Sequence, residues 1–392
     1  MARAGRSLVL FTEFGATIER GQRFGLLLRN MAIYERLIAD GTFDDVYWFM
    51  YGRDDPQDLQ ALQEKGEVHP RLHVLAPPAS WRGPFSALFY SLLGPLVHRK
   101  VLARATAYKT AQVTGSWTAL IAKALFRRPL LFRLGYPLSV RFRSENATLK
   151  YWLASVIEFL LVRFSDMTVV SSSVMQGYYR RYSSKAQINL LPSYIDMAHC
   201  DPVQAYSRDL PILYVGRLEP VKNIEALIRA SAKLDVEVDL YGRGSLDEEL
   251  RALAKREAAR VNFKGVVPNH ELLALYSRYT FCVLCSTREG MPKSLIEAMG
   301  AGLICICTPT DGACELITDG VTGYLTEGFD AEAIAERLSW VLENFDPQVG
   351  RRAREAMLSR SSLESAAELE RSYFEAIVGE PLTPSDSLVH EH

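Results

Sequence analysis

Short apolar runs of strand length alternate with helical stretches along this chain, and the alternation occurs twice. That pattern implies a parallel sheet with helices on both of its faces. In the first half the runs are Ser7–Phe11, Val46–Met50, Leu72–Leu75, Gln112–Gly115, Leu130–Leu134 and Met167–Ser171. Helices are expected at about Phe24–Ala39, Trp117–Phe126 and Tyr151–Phe164, and Ile188–Pro192 ends this half. Ser193–Leu210 reads as a linker, with Asp201-Pro202 inside it. The alternation restarts at Ile212–Val215, Val236–Tyr241, Val261–Gly265, Phe281–Cys285 and Leu303–Cys307. Helices are expected from Ile224, at about Glu271–Tyr279 and at Ala331–Glu343. The expected class is α/β, with two doubly wound parallel-sheet domains at 1–196 and 205–345. A chain of 392 residues is long enough to give each a full core.

The stretch Ser286-Thr-Arg-Glu-Gly-Met-Pro-Lys-Ser-Leu-Ile-Glu-Ala-Met-Gly300 is the most informative. Gly290 and Pro292 break the strand at 281–285, and Pro292 fits the first position of a helix running on through Met299. A strand, a tight turn and a helix N-terminus form an anion site, above all for phosphate. In an open α/β sheet the ligand crevice lies at the carboxyl ends of the strands. Glu289 in the turn and Glu297 two helical turns on are suited to accept hydrogen bonds from sugar hydroxyls. Two Glu residues at that spacing are common by chance, so their context decides.

Other strand ends supply that context. Arg217 and Lys222 come after the strand at 212–215, with Gly216 making the turn. Two cations there can neutralise a diphosphate. Gly242-Arg-Gly244 comes after the next strand, and alone it signals little more than a strand-to-helix turn. Glu315, after Gly312 and Ala313, reads as a helix-start carboxylate. All lie on one edge of one expected sheet.

Net charge is −1, but it is unevenly spread. Residues 1–200 carry 25 Lys+Arg against 15 Asp+Glu, and the remainder 20 against 31. Residues 71–185 hold 17 basic residues and only three acids, Glu145, Glu158 and Asp166. The first half therefore meets something anionic. No nucleic-acid motif is present, so a membrane surface or a phosphorylated substrate fits better. The apolar segment from Pro84 leads into His98, Arg99, Lys100, Arg104 and Lys109. Two readings stay open for it: an amphipathic segment at a membrane interface, or a core helix with a solvated basic end. The apolar run before Glu13 is too short for a signal-peptide core, and no window is long enough to span a bilayer. The six Cys read as buried reduced thiols, in keeping with a cytosolic protein.

Four ordered motifs resemble the signatures of the family 4 retaining glycosyltransferases: Val215–Asn223, Tyr241–Gly244, Glu289–Met299 and Glu315–Leu325. Leu191–Asp196 resembles that family's interdomain stretch. The resemblance covers about 211–345 strongly and the first half in architecture only. It implies the GT-B fold, two Rossmann-like domains facing each other across a cleft. It also implies that a last helix, about Leu363–Val378, returns to the first domain, leaving 379–392 as a loose tail. It implies a nucleotide-sugar donor and a glycan or lipid-linked acceptor, with no metal and no cofactor. Arg217 and Lys222 would hold the diphosphate and stabilise the charge that develops as it leaves. Glu297 would meet the ribose and Glu289 the transferred sugar. Gly216, Gly242, Gly290, Met291, Pro292 and Lys293 would line the donor. A front-face mechanism is implied, in which the donor phosphate deprotonates the acceptor hydroxyl. On the acceptor side the candidates are Gly15 and Arg133. Here the chain departs from the family: the first loop lacks two adjacent glycines, and Arg133 stands near where a His-Gly is common. Met291-Pro292 replaces the usual Phe-Gly.

Two further classes are weighed. One is a GT-B enzyme of another reaction, a nucleotide-sugar epimerase or a phosphorylase. The other is a non-catalytic scaffold that binds an anionic partner. The expected location is cytoplasmic, peripheral on the inner membrane face.

Overall fold

A computed structural model describes residues 5–23, 27–135, 137–182, 187–195 and 200–382. The helix start expected at Phe24, Asp196 and residues 383–392 lie outside them. The chain divides into two compact units, residues 1–191 with 366–392, and residues 192–365.

The first unit runs β1 (Ser7–Phe11), α1 (Ile18–Arg23), α2 (Leu27–Ala39), β2 (Asp45–Phe49), α3 (Asp55–Glu64), β3 (Leu72–Leu75), α4 (Ser86–Val97) and α5 (Arg99–Leu102). It continues with β4 (Ala107–Thr110), α6 (Ser116–Phe126), β5 (Leu130–Leu134), α7 (Leu138–Ser144), α8 (Thr148–Phe164), β6 (Met167–Val170), α9 (Ser173–Arg180) and β7 (Ile188–Leu190). All strand pairs are parallel, in the order β3-β2-β1-β4-β5-β6-β7. The order reverses between β1 and β4, which makes that pair the switch point.

Gln112–Gly115 is not a strand; the strand is Ala107–Thr110. Lys109 hides it in the sequence, because a lysine in a four-residue run reads as surface. Here Lys109 is fully buried and ion-pairs with Glu370, whose side chain is equally buried. Its ammonium also lies 4.6 Å from the Tyr34 ring centre. Lys109 is therefore no part of a solvated basic end. Nor is His98, whose Nε2 lies 2.9 Å from Tyr90 Oη and 3.2 Å from the Ala76 carbonyl. Burial pushes the His98 imidazolium below its ordinary pKa.

The second unit runs β8 (Ile212–Val215), a 3₁₀ turn at Pro220–Lys222, α10 (Ile224–Leu234), β9 (Val238–Tyr241), α11 (Asp247–Arg256), β10 (Val261–Gly265), α12 (Asn269–Tyr276) and β11 (Phe281–Leu284). It continues with α13 (Lys293–Ala301), β12 (Ile304–Cys307), α14 (Asp311–Leu316), β13 (Tyr324–Leu325), α15 (Ala331–Glu343) and α16 (Pro347–Arg360). Its six strands are parallel in the order β10-β9-β8-β11-β12-β13, and the switch point falls between β8 and β11. Five of the six cysteines are buried free thiols, while Cys314 is free and exposed.

The last helix, α17 (Leu363–Val378), joins the first unit from Ala366 onward. Besides the Glu370 pair, Arg371 lies 3.6 Å from Asp40 and Tyr373 Oη donates to the Leu190 carbonyl at 2.6 Å. The tail is not loose at once after Gly379. Leu382 is fully buried, its amide donates to Glu375 at 2.9 Å, and its carbonyl accepts from Arg6. A single apolar side chain with both backbone groups satisfied is enough to hold four residues past the helix.

Candidate active site

In a parallel sheet every strand ends on the same edge, so the loops after β8, β9, β11 and β12 share one rim. Backbone contacts stitch these four loops together. Gly216 N–H donates to the Tyr241 carbonyl and Leu218 N–H to the Arg243 carbonyl, both at 3.0 Å. This closeness fixes the Gly242-x-Gly244 pair. A Cβ on Gly242, which has φ +153°, would sit 1.8 Å from the Gly216 oxygen, and one on Gly244 would sit 2.2 Å from the Leu218 oxygen. The Gly-x-Gly turn thus has a packing reason.

The β11 loop is tied to the β8 loop in the same way. Thr287 N–H donates to the Val221 carbonyl at 2.9 Å, and Cys285 Sγ–H to the Lys222 carbonyl at 3.2 Å. Burial pushes the Cys285 thiol up to about 12, so it stays protonated and donates. With the two backbones joined, the Lys222 ammonium meets the Glu289 carboxylate directly. Each side chain is 17% exposed. Ser286 Oγ donates to the same Glu289 oxygen at 3.0 Å.

The turn at 289–292 is held from behind by α14. Gly312 N–H donates to the Glu289 carbonyl at 3.1 Å, and a Cβ on Gly312 would meet the Gly290 oxygen at 2.6 Å. Pro292 stands just before α13, not in its first turn. Its carbonyl accepts from the Leu295 and Ile296 amides. The helix has no side-chain cap, and a first helical turn always carries amides without an intrahelical acceptor. Met291 packs against the core, Gly290 is half-buried and Lys293 is exposed. Arg217 is exposed on the β8 loop.

Glu297 lies deeper, 3% exposed. Its Oε2 accepts a hydrogen bond from the buried Tyr276 hydroxyl at 3.2 Å. Burial, then the Glu297 charge, holds that phenol well above its ordinary pKa, so it remains a donor. Glu315 lies on α14, its carbonyl accepting from Arg360 at 3.3 Å. Ser286 and Tyr276 were not singled out in the sequence. Ser286 was legible as a hydroxyl three residues before Glu289, whereas Tyr276, at the end of α12, carries no local signal.

The first unit repeats the construction at β1 and β4. Phe14 N–H donates to the Thr114 carbonyl at 3.2 Å. Gly115 has φ +85°, and a Cβ there would lie 2.8 Å from both the Phe14 nitrogen and the Thr12 oxygen. Gly15, at φ +76°, forms the open tip of the β1 loop with nothing within 4 Å of its missing Cβ. Arg133 lies further along, in β5, where its amide donates to Thr110 Oγ1 at 3.1 Å. Phe14 is partly exposed at the loop, its ring 5.3 Å from Tyr51 and 5.7 Å from Trp117.

Residues 201–356 match the family described as glycosyl transferases group 1. The chain carries a glycosyl transferases group 1 domain. That domain holds every residue of the second-unit rim. Among curated proteins, the chain is 30% identical over 229 residues to a GalNAc-alpha-(1->4)-GalNAc-alpha-(1->3)-diNAcBac-PP-undecaprenol alpha-1,4-N-acetyl-D-galactosaminyltransferase of Campylobacter jejuni, covering 56% of this chain and 63% of that protein. It is 28% identical to an N-acetyl-alpha-D-glucosaminyl L-malate synthase of Bacillus anthracis, covering 57% and 63%. It is 30% identical to a phosphatidyl-myo-inositol mannosyltransferase of Mycolicibacterium smegmatis, covering 54% and 58%. The matches thus span less than two thirds of these relatives' length. Solved structures extend the likeness in fold to nearly the whole chain. A sucrose-phosphate synthase from Thermosynechococcus elongatus superposes with a TM-score of 0.74 at 22% identity, covering 95% of this chain and 100% of that one. Anabaena HepE in complex with UDP and glucose gives 0.72 at 17%, with the same coverage. The fold is GT-B, with two Rossmann-like parallel-sheet domains.

Proposed function

We propose that this protein is a retaining glycosyltransferase that moves a sugar from a nucleotide-diphosphate sugar to an acceptor hydroxyl. The observation that carries this reading is the Lys222–Glu289 pair, set between the loops after β8 and β11 at the switch point. A diphosphate entering there would take Lys222 as its partner and release Glu289 towards the sugar. Ser286 would keep Glu289 oriented through the exchange. Arg217 on the same loop adds the second cation, and the uncapped start of α13 adds its dipole to the departing charge. Glu297, oriented by Tyr276, is assigned to the ribose hydroxyls. No step is assigned to a metal or a cofactor. The donor phosphate itself serves as base for the acceptor hydroxyl. Gly15 and Arg133 are assigned to the acceptor side.

The acceptor class we propose is a lipid-linked or phosphorylated glycan in surface-polysaccharide assembly, met on the cytoplasmic face of a membrane. The charge excess of the first unit supports this, as do the names of the Campylobacter and Mycolicibacterium relatives. A thermal-shift screen of nucleotide diphosphates and their sugars tests the donor half. A ligand that binds only the native state raises the melting temperature. One nucleotide should raise it, and Lys222→Ala and Glu297→Ala should remove the effect. No shift with any nucleotide would move the assignment to a non-catalytic scaffold.

A further inference from the structure

Two helices of the first unit turn rows of large apolar side chains to solvent. α4 buries Tyr90, Ser91, Gly94 and Pro95. Its large apolar side chains face solvent instead: Phe85, just before it, is 65% exposed, Phe89 56% and Leu96 52%. Leu88, Leu92, Leu93 and Val97 complete the row at helical spacing. α8 also faces two ways. It buries Ala154, Leu161, Val162 and the carboxylate Glu158, whose oxygens accept from Ser139 N–H at 3.0 Å and Ser139 Oγ at 2.7 Å. Outward it shows Leu149 at 74%, Trp152 at 61%, Leu153 at 56% and Val156 at 53%. A helix that packs only to fill a core has no need of this outward row.

The two rows lie on one face of the sheet. Strand order places the crossovers β3–β4, β4–β5 and β5–β6 in the same direction, so right-handed connections put α4, α6 and α8 on one side. α6 joins them: it packs on α4 through Trp117 Nε1 to Ser91 Oγ at 3.0 Å and Thr118 Oγ1 to the Ser91 carbonyl at 2.7 Å, and its other neighbour is α8. α6 adds the exposed Leu125. Twelve large apolar side chains on α4 and α8, with Phe85 beside them, are each 43–74% exposed, where a soluble monomer ordinarily shows an apolar patch of only a few hundred Å².

The charges around this face decide what covers it. Arg82, Arg99, Lys100, Arg104, Lys150 and Arg163 border the rows and are exposed. The three acids between residues 71 and 185 are all engaged: Glu145 with Arg141, Asp166 with Lys123, and Glu158 in the interior. A second copy of this chain would bring cations against cations. A sheet of anionic headgroups over hydrocarbon complements both parts of the pattern. Among the described residues no helix is long and apolar enough to cross a membrane.

We propose that α4 and α8 together form a docking surface for a bilayer containing anionic lipid, with Phe89 and Trp152 entering the interface and Arg99 and Lys100 meeting the headgroups. The surface stands on the first unit alone; it deepens the proposed function only in saying how a lipid-linked acceptor is met. The experiment is flotation of the full chain with vesicles of phosphatidylcholine, with and without phosphatidylglycerol, at low and high salt. Binding is expected with the anionic vesicles. Arg99→Glu/Lys100→Glu should weaken it about tenfold or more at low salt. Phe89→Glu/Trp152→Glu should abolish it. The vesicles should also shift the tryptophan emission to shorter wavelength, and Trp152→Phe should lose that shift. Sedimentation velocity without lipid supplies the competing outcome. A stable dimer that Phe89→Glu/Trp152→Glu dissociates, with no vesicle binding by the parent chain, would overturn the proposal, as would binding that ignores both double variants. Nucleotide-induced thermal stabilisation, measured in the same variants, reports on the second unit. Its loss in the parent chain would count against the donor assignment and leave the lipid result standing.

Discussion

Removing one partner of the Lys109–Glu370 pair should cost about 3–5 kcal/mol of first-unit stability. Both side chains are fully buried, and they link β4 to α17 across 261 residues of sequence. Lys109→Met would leave a carboxylate with no opposite charge, and Glu370 Oε2 already has no hydrogen-bond partner. Glu370→Leu would leave a buried ammonium beside Arg133, whose charge already opposes that of Lys109. The double variant Lys109→Met/Glu370→Leu removes both charges and should recover most of the loss, since apolar replacement of a whole buried pair is often neutral. Urea unfolding tracked by tryptophan emission is the assay. Four of the five tryptophans, Trp48, Trp81, Trp117 and Trp152, lie in the first unit, so the signal reports mainly on it. Nucleotide-induced stabilisation of the second unit should be unchanged in all three variants. Single variants that each cost under about 1 kcal/mol, or a double variant that costs the sum of the two, would refute the reasoning.

Gly242→Ala should destabilise the second unit by about 3 kcal/mol or more, because its Cβ would lie 1.8 Å from the Gly216 oxygen and backbone must move; an unchanged melting temperature would contradict the close approach of the β8 and β9 loops. Tyr276→Phe leaves Glu297 Oε2 without that buried donor and should cost about 1–3 kcal/mol; isothermal titration should show weaker nucleotide binding, and unaltered affinity would separate Tyr276 from the site. Alkaline pH should destabilise the fold. Burial raises the Cys200 thiol to about 11 and the Cys285 thiol to about 12, so above pH 9 the unfolded chain loses protons that the folded chain keeps, and stability falls by about 1.4 kcal/mol per pH unit for each such group until the folded pKa is reached. Lys109 runs the other way, because burial lowers it to about 8 and it favours folding as pH rises from there towards 10.5. It is one group against several buried thiols and phenols, so melting temperature should decline between pH 9 and 11, and a flat profile would count against the burial of these side chains.

An element is legible in the sequence when the signals that specify it are local. Leu72–Leu75, Leu130–Leu134 and Ile212–Val215 were legible as strands because each is a short, largely apolar run, and Val261–Gly265 because apolar and polar residues alternate in it up to a glycine. α15 has the bounds expected from the sequence, Ala331–Glu343, and the structure shows the local signal that starts it, Asp330 capping the Ala333 amide. α3 was missed because its helical face is sparse in a run of Asp and Gln, and only Leu59, Leu62 and Asp55 turn inward. β4 was missed because the partner that makes Lys109 a core residue is supplied by the chain's last helix. α4 looked ambiguous because its apolar residues and its buried residues are different sets, which no periodicity can tell apart.

The same distinction separates the two candidate sites. In the second unit the rim is made of loops that touch backbone to backbone, and such contact admits only glycine at fixed places, so Gly242, Gly244 and Gly312 leave a mark in the sequence. In the first unit the β1 loop lacks the adjacent glycines that the family resemblance led one to expect, and that absence looked like a departure in the chemistry. The structure shows that the glycine-dependent close approach lies on the opposing loop. Gly115, after β4, is the residue that lets the Phe14 amide reach the Thr114 carbonyl. The β1 loop itself carries Phe14, whose ring lies against Tyr51 and Trp117. Side chains rather than backbone thus set the character of this rim, and side chains brought together from β1, β2 and α6 have no common signature in a single sequence.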